Sequence, residues 1–309
     1  MFMRSVLALL TLSLLSGCVE PVIRRNQNKT DEVLTPPGYD KADLKKRIWI
    51  VPFTESIAWD PKQGADPELS KSLLANMKQI FSDAKGPFLI AKPFDQGLDD
   101  SQANSDNSDE DLKSIAQASG ADGYLKGTVV TAEVLRTELP DGLVKTNEFR
   151  VVLRVAYELY DAYSGRLLFR GQEEDKHVEQ RSDVLRFEFK YPEIEKRLQA
   201  MSKKVALKIY HAVLPASARM GWTGRVLSVE NARVFLNAGE KTGIRMGDIL
   251  KVVEPFKQIA DFQSGKLVGN VPGRIKGTIK IIQFFGDDGA VGVLQSGGGF
   301  SPGDNVQLY

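Results

Sequence analysis

The stretch FRVVLRVAYELYDAYSGRLLF, residues 149–169, combines two strand patterns with a turn between them. From position 149 to position 159 every odd-numbered residue is apolar, and every charged residue occupies an even-numbered position. Because successive side chains of a strand point to opposite faces, this alternation predicts a strand with one buried face. The segment DAYSG at 161–165 is typical of a turn, so the whole stretch predicts a β-hairpin.

The neighbouring segments extend this hairpin into a mixed sheet that is covered by helices. Further strand patterns occur at 47–53 (RIWIVPF) and 87–94 (PFLIAKPF), and the long strands are predicted at 122–138, 148–161 and 166–179. Amphipathic helices are predicted after a cap at Asp66, from Ser108 to Gly120, and from Pro192 to Pro215. This order of elements predicts an α+β protein whose first domain, residues 46–215, is an α/β sandwich.

A second pattern, G-φ-x-x-G-D-x-φ-x-φ with φ apolar, occurs twice within residues 222–309. Glycine permits positive φ in a turn, the aspartate carboxylate can accept nearby backbone N–H groups, and the alternating residues then form a strand. A small all-β, barrel-like domain is therefore predicted at 222–309. A catalytic pair formed by the two aspartates is disfavoured, because an aspartate in a Gly-Asp turn is usually structural. The assigned turn residues are Gly243, Gly247, Asp248, Gly303 and Asp304.

The amino terminus carries a lipidation signal. LLSGCVEP, residues 14–21, holds the single cysteine of the chain, Cys18, behind about ten mostly apolar residues. That length is typical of a signal-peptide core and is too short to span a bilayer. A small pair directly before the cysteine resembles the bacterial lipobox, which implies cleavage before Cys18 and its acylation with chains such as palmitate. Residues 1–17 are then a signal peptide, and the polar residues 18–45 form a flexible tether.

The residue after the cysteine bears on the membrane in which the lipid sits. In enterobacterial lipoproteins an aspartate at this position retains the protein in the inner membrane, whereas this chain has Val19. The resemblance therefore implies a lipid anchor on the periplasmic face of the outer membrane. The alternative is an ordinary secretory signal with an incidental cysteine.

The first domain resembles a domain shared by several envelope proteins. The residues that carry the resemblance are RIWIVPF, SGADGYLKGTV at 119–129, and YELYDAYSGRLLF at 157–169. The similar proteins are TolB amino-terminal regions, the curli-secretion lipoprotein, lipoprotein activators of penicillin-binding proteins, and the middle of flagellar assembly protein T. The resemblance implies a periplasmic interaction or assembly module.

Residues 222–309 resemble the carboxy-terminal domain of flagellar assembly protein T. The matching segments are ARVFLNAGEKTGIRMGDILKV at 232–252, DFQSGKLVGNVPGRIKGTIKI at 261–281 and GGGFSPGDNVQL at 297–308. Ser264 stands where relatives usually carry threonine. The lipobox, and a tether in place of a further amino-terminal domain, depart from that family and are consistent with work in another envelope machine.

Sequence motifs for catalysis or cofactor binding are absent. His177 and His211 are not in a zinc-ligand spacing, and no nucleophile elbow, phosphate-binding loop or zinc-protease motif occurs. We therefore predict no enzyme activity, cofactor or metal.

The acidic segment 96–111 is interpreted as a solvated loop, since it lacks the central glycine and terminal glutamate of a calcium loop. Forty-one basic and 40 acidic residues, a net charge of +1, give no electrostatic reason for nucleic-acid binding.

Three functions are compatible with these observations. The first is a lipid-anchored periplasmic assembly component, such as a homo-oligomeric ring around a flagellar motor or secretion system, whose partners are other envelope proteins. The second is a lipoprotein that activates a peptidoglycan synthase. The third, a curli-type secretion pore, is disfavoured because the strand segment RGQEEDKHVEQRSD at 170–183 is charged on both faces.

An oligomer contact is predicted in the segment VLRFEFKYP, residues 184–192, where apolar and charged residues alternate. In one interpretation it is an edge strand that packs beneath the following helix. In the other it pairs with a neighbouring subunit, since an edge strand offers unpaired N–H and C=O groups. The apolar side consists of Leu185, Phe187, Phe189 and Tyr191.

Cys18→Ser tests the lipidation signal. Because serine has no thiol to acylate, we expect the variant to remain uncleaved or to leave the membrane. Mass spectrometry of the amino-terminal peptide should then detect a lipid on the wild-type chain alone. A wild-type mature chain that starts elsewhere and carries no lipid would contradict the prediction.

Overall fold

The computed structural model describes residues 44–56, 68–83, 85–91, 103–141, 144–181, 191–265, 267–271 and 273–308. These residues belong to one compact unit that consists of an α/β part followed by a barrel. The α/β part contains β1 (Lys46–Ile50), β2 (Thr54–Glu55), α1 (Leu69–Phe81), β3 (Phe88–Ile90), α2 (Asp109–Ala118), β4 (Gly123–Asp141), β5 (Val144–Asp161), β6 (Leu167–Arg181) and α3 (Tyr191–Ser217).

The α/β part is built on a six-stranded mixed sheet with the order β3-β1-β4-β5-β6, in which β2 also pairs with β4. β1 runs parallel to β3 and β4, whereas β4, β5 and β6 form an antiparallel meander. The predicted turn joins β5 to β6, and there Asp161 Oδ1 accepts hydrogen bonds from Ser164 N and Ser164 Oγ, both at 2.7 Å. The predicted α+β class, with an α/β sandwich followed by a small barrel, is confirmed.

Helices α1 and α3 cover one face of the sheet. The alternating residues of β5 lie on this face, and Val151, Leu153, Val155, Tyr157 and Leu159 are all buried there. The apolar stripes of the two helices pack against them. Those stripes are Leu69, Leu73, Met77, Ile80 and Phe81 in α1, and Ile194, Leu198, Met201, Val205 and Ile209 in α3.

The opposite face is also buried at one end, which the prediction of a single buried face did not include. Helix α2 covers it with Leu112 and Ala116, in a cluster that includes Trp49 of β1. Tyr124 and Tyr160 stack in this cluster with ring centroids 5.0 Å apart and planes 4° apart. The large aromatic side chains of this face fill the space beneath the ten-residue helix α2. The face is therefore buried here although its strands also carry charged residues.

The helix ends agree with the predictions in part. Ser108 Oγ accepts a hydrogen bond from Asp111 N at 3.2 Å and caps α2 as predicted. Helix α1 begins at Leu69, and its predicted cap Asp66 lies outside the described residues. Helix α3 continues two residues past its predicted end and includes Pro215, because residues beyond a proline can still donate to earlier carbonyl groups.

The second part is a closed six-stranded barrel with the strand order β12-β13-β8-β7-β14-β9. Its interior is filled by aliphatic side chains, among them Leu236, Leu250 and Ile279. A separate two-stranded sheet, β10-β11, stands between β9 and β12 in the chain. The strands are β7 (Gly224–Glu230), β8 (Arg233–Leu236), β9 (Ile249–Val253), β10 (Lys257–Ala260), β11 (Leu267–Val271), β12 (Ile275–Phe285), β13 (Gly289–Gly297) and β14 (Asn305–Leu308).

Candidate interaction surface

The two Gly-Asp repeats form turns that lead into β9 and β14. In the first, Gly243 and Gly247 have φ of 97° and 95°, and Asp248 Oδ2 accepts a hydrogen bond from Arg245 N at 2.8 Å. In the second, Gly303 has φ of 91°, and Asp304 Oδ2 accepts from Ser301 N at 2.7 Å. Both carboxylates therefore hold the turn in which they lie, and positive φ explains the glycines.

The two aspartates lie at opposite ends of one strand pair. β9 and β14 run antiparallel with Asn305 opposite Val253, so Asp304 is near the end of β9 that is remote from Asp248. Asp304 is buried and pairs with Lys276, whose Nζ donates to both carboxylate oxygens at 2.9 and 2.8 Å. This placement excludes a site in which the two carboxylates act on one atom.

Several sequence-predicted residues fall outside the described ranges, and their predictions stand untested. These are Cys18, Leu185, Phe187 and Phe189. Helix α3 begins at Tyr191, one residue before Pro192, at which the helix was predicted to begin. His177 lies on β6 beside Arg197 and Glu179.

A buried aspartate joins the α/β part to the barrel. Asp122 is completely buried, and its Oδ2 accepts a hydrogen bond from Arg47 N of β1 at 2.8 Å. Its Oδ1 accepts from Thr223 N, just before β7, also at 2.8 Å. The backbone of Asp122 adds bonds to Arg47 O and from Ala162 N. One residue therefore connects strand β1 of the sheet, the β5–β6 turn and the start of the barrel.

The side chain of Arg47 makes a second connection at the same junction. Its Nη2 lies 2.6 Å from Asp288 Oδ2 and 3.0 Å from Thr242 Oγ1, and it also donates to Asn237 O. Asp288 Oδ1 in turn accepts from Gly239 N and Thr242 N at 3.0 and 3.1 Å. A guanidinium from the sheet thus holds the turns of the barrel, and a charge-assisted network of this kind strongly favours one orientation of the two parts.

Burial changes the protonation of Asp122. Desolvation raises the pKa of this carboxyl from 3.8 to about 7, although the N–H donors of Arg47 and Thr223 and the charge of Arg47 act in the opposite direction. No periodic pattern in the sequence predicts this junction. The available signals were an arginine within the apolar run RIWIV and an aspartate before the strand GYLKG, and single residues of this kind carry no periodicity.

A cavity of about 320 Å³ opens beside the junction. Tyr163 from the β5–β6 turn and Trp222 from the segment before β7 line it, together with Phe256, which precedes β10. The rings of Tyr163 and Phe256 are 5.9 Å apart at 38°. Burial raises the pKa of the Tyr163 phenol. Asp161, Thr223 and Gln307 add polar groups to the lining. The cavity is therefore a mixed aromatic and polar site at which both parts of the described structure meet.

The hairpin β10–β11 exposes apolar side chains on the barrel side of this cavity. Phe262 in its turn is fully exposed, and Ile259, Val268 and Val271 are also exposed. The turn itself is ordered by Asp261 Oδ1, which accepts from Gln263 N at 3.0 Å, Ser264 N at 2.7 Å and Ser264 Oγ at 2.8 Å. These bonds, led by that from Ser264 N, lower the pKa of Asp261. Exposed apolar groups on ordered backbone are typical of binding surfaces.

Two features are absent from the part of the chain that the structure describes. None of the helices described here is long and apolar enough to cross a membrane. Within the same ranges, no three histidine, cysteine, aspartate or glutamate side chains converge as a metal site would require.

No known family model matches the chain, and no curated protein matches it. Solved structures give weak likenesses. A PelC dodecamer from Paraburkholderia phytofirmans is 12% identical over 55% of this chain and 88% of its own, with a TM-score of 0.29. A lipoprotein from Neisseria meningitidis is 16% identical over 52% and 98%, with a TM-score of 0.30. Uncharacterized lipoprotein B from Nitrosomonas europaea is 14% identical over 60% and 93%, with a TM-score of 0.31.

These identities and TM-scores are too low to transfer a role or an assembly state to this chain.

Asp122→Asn should change how stability depends on pH. The folded carboxyl titrates near pH 7 and the unfolded one near 3.8. Between about pH 4 and about pH 7 the folded state therefore binds more protons, and the stability that this group contributes falls as pH rises. At low pH the wild-type carboxyl is protonated, but its hydroxyl oxygen still keeps a lone pair for the second N–H, whereas an amide NH2 group can only donate. The Asn variant therefore leaves one buried N–H unsatisfied, and we expect a loss of about 1–3 kcal/mol at low pH. This difference from wild type should shrink toward pH 7, as measured by urea unfolding.

Asp248→Asn is the matched control, because Asp248 also accepts a backbone N–H in a turn but is partly exposed. Its slope shows how much of any change comes from removing a turn carboxylate that is not fully buried. An Asp122→Asn variant whose stability runs parallel to wild type across that range would contradict the assignment.

Proposed function

We propose that this chain is a lipid-anchored structural component of an envelope assembly, which acts by binding rather than by catalysis. The observation that carries the proposal is the ordered, apolar hairpin β10–β11, with Phe262 fully exposed in its turn. The junction residues Arg47 and Asp122 hold the fold together and are buried, so they are unavailable to a substrate. Exposed apolar residues beside this junction are typical of a surface that binds another protein.

The amino-terminal sequence supports the membrane part of the proposal. The lipobox at Cys18 supplies an anchor, and more than one acyl chain gives stable attachment. Residues 18–45 separate the anchor from β1, and 28 residues can span at most on the order of 90 Å. The body could therefore reach partners in the periplasm while the lipid stays in the outer membrane.

The resemblance of residues 222–309 to flagellar assembly protein T supports a place in a flagellar or secretion machine. The alternative is the activation of a peptidoglycan synthase through the α/β part, which resembles the lipoprotein activators. The two functions predict different effects of losing the protein. An assembly component is required to build the machine, whereas an activator is required for the rate of cell-wall synthesis.

Deletion of the gene in its native bacterium separates these two functions. We expect fewer complete flagellar or secretion machines by electron cryotomography and an unchanged rate of peptidoglycan incorporation. Re-expression of the wild-type chain should restore the machines, and Cys18→Ser should not, because it removes the anchor. A normal number of machines with slowed peptidoglycan synthesis would favour the activator and overturn the proposal.

Val19→Asp tests the membrane in which the anchor sits. Aspartate directly after the acylated cysteine acts as the inner-membrane retention signal in enterobacterial sorting. We expect the variant to move to the inner-membrane fraction of a sucrose gradient, while wild type stays with the outer membrane. Val19→Asn, of similar size but uncharged, is the control. Wild type found in the inner-membrane fraction would contradict the proposed location.

A further inference from the structure

The turn of the β10–β11 hairpin presents a single aromatic side chain on a fixed backbone. Asp261 accepts three hydrogen bonds from the two residues after Phe262, and Gly265 N donates to Asp261 O at 2.8 Å with φ of 65° at Gly265. The turn is therefore ordered without any contact to Phe262, whose side chain is fully exposed. Because these bonds already order the backbone of the turn, binding through Phe262 requires little further ordering of that turn.

The hairpin also lacks support from the rest of the described chain. Among the described strands, β10 and β11 pair with each other and with no third strand. A two-stranded hairpin is marginally stable alone in water and usually gains stability by packing. Val268, 72% exposed, and Val271, 50% exposed, provide apolar surface for such packing.

The cavity at the junction has the size and lining to receive a phenyl ring. Its volume is about 320 Å³, whereas benzene binds in an apolar cavity of ~150 Å³. Tyr163, Trp222 and Phe256 provide aromatic walls, and aromatic pairs add to the gain from burial. Asp161, Thr223 and Gln307 contribute polar groups to the rest of the lining. Leu308 at the cavity is 53% exposed, so apolar surface continues from the lining to the outside.

Phe262 cannot fill the cavity of its own chain while the hairpin is formed. Phe256 lines the cavity and directly precedes β10, whereas Phe262 comes after the far end of β10. The four residues of β10 alone place the turn more than about 13 Å away. A projecting aromatic and a cavity of matching chemistry thus occur at separate places on one molecule.

We propose that Phe262 of one copy inserts into the junction cavity of a second copy, so that the protein assembles head to tail. The contact is heterologous, because the projecting side chain and the cavity are different surfaces. Such a contact repeats until a ring closes or a filament grows. This inference concerns self-assembly alone and holds whether or not Cys18 carries a lipid. It places a subunit contact in the barrel, away from the segment 184–192 predicted from the sequence.

Two variants separate the halves of the contact. Phe262→Ser removes the projecting ring from an exposed position, so folding is unaffected. Gly221→Leu fills the cavity that Gly221 lines, and a Cβ at Gly221 would meet no atom within 4 Å. Met246→Ser is the matched control, because Met246 is also an exposed apolar residue, elsewhere on the barrel.

The mature chain in detergent is measured by mass photometry and sedimentation velocity over a range of concentrations. We expect wild type and Met246→Ser to form assemblies of several copies. Phe262→Ser and Gly221→Leu should each dissociate at a concentration roughly thirtyfold higher or more, as loss of an aromatic anchor would produce. Urea unfolding should be unchanged in both variants.

Mixing the two impaired variants gives the decisive result. Phe262→Ser retains an open cavity, and Gly221→Leu retains the projecting ring, so together they can form one contact and no second. We expect a one-to-one dimer in the mixture and no larger species. No other arrangement of subunits predicts that two impaired variants restore a dimer and stop there.

Three results would overturn the inference. The first is a wild-type chain that stays monomeric at the highest concentration reached. The second is assembly of Phe262→Ser or Gly221→Leu with wild-type strength, or failure of their mixture to dimerise. The third is that phosphatidylethanolamine–phosphatidylglycerol vesicles bind Gly221→Leu as they bind wild type but do not bind Phe262→Ser, which would assign the hairpin to a lipid surface.

Discussion

The arrangement of the two parts depends on the carboxylate of Asp122. Each of its oxygens accepts one backbone N–H, from Arg47 in the sheet and from Thr223 at the start of the barrel. Because the group is completely buried, water cannot replace either bond, and its loss would leave two donors unsatisfied. The neighbouring pair of Arg47 and Asp288 adds a charged contact between the same two parts. Together they favour the orientation of the two parts that the structure shows.

That rigidity determines what the cavity can do. Tyr163 comes from the α/β part, whereas Trp222, Phe256 and Leu308 lie in or beside the barrel. A hinge at the junction would move these walls apart and change the cavity with every fluctuation. With the orientation fixed by buried hydrogen bonds, the cavity keeps its shape before a partner arrives, and binding then requires little ordering of the receptor.

Local periodicity was enough to predict the short-range parts of the fold. The alternation in β5 and the DAYSG turn indicated the hairpin, and the two Gly-Asp repeats indicated the turns before β9 and β14, because each signal lies within about ten residues. The junction could not be predicted in this way. Arg47 and Asp288 are 241 residues apart, and one charged residue in an apolar strand does not identify its partner. The burial of Trp49 and Tyr160 beneath α2 was missed because their face of the sheet mixes apolar and charged residues. The cavity is lined by residues from four separate segments, so no local sequence pattern predicts it.

The hairpin interrupts the barrel only in the chain, not in space. β9 and β12, which flank it, pair directly with each other, and Glu254 N donates to Arg274 O at 2.9 Å at its base. The barrel therefore closes in the same way whatever length or composition the intervening residues have. Substitutions can then accumulate in the tip of the hairpin as fast as in other surface loops, while the barrel core changes more slowly. Related chains could therefore share the same barrel and differ in the partners that the hairpin binds.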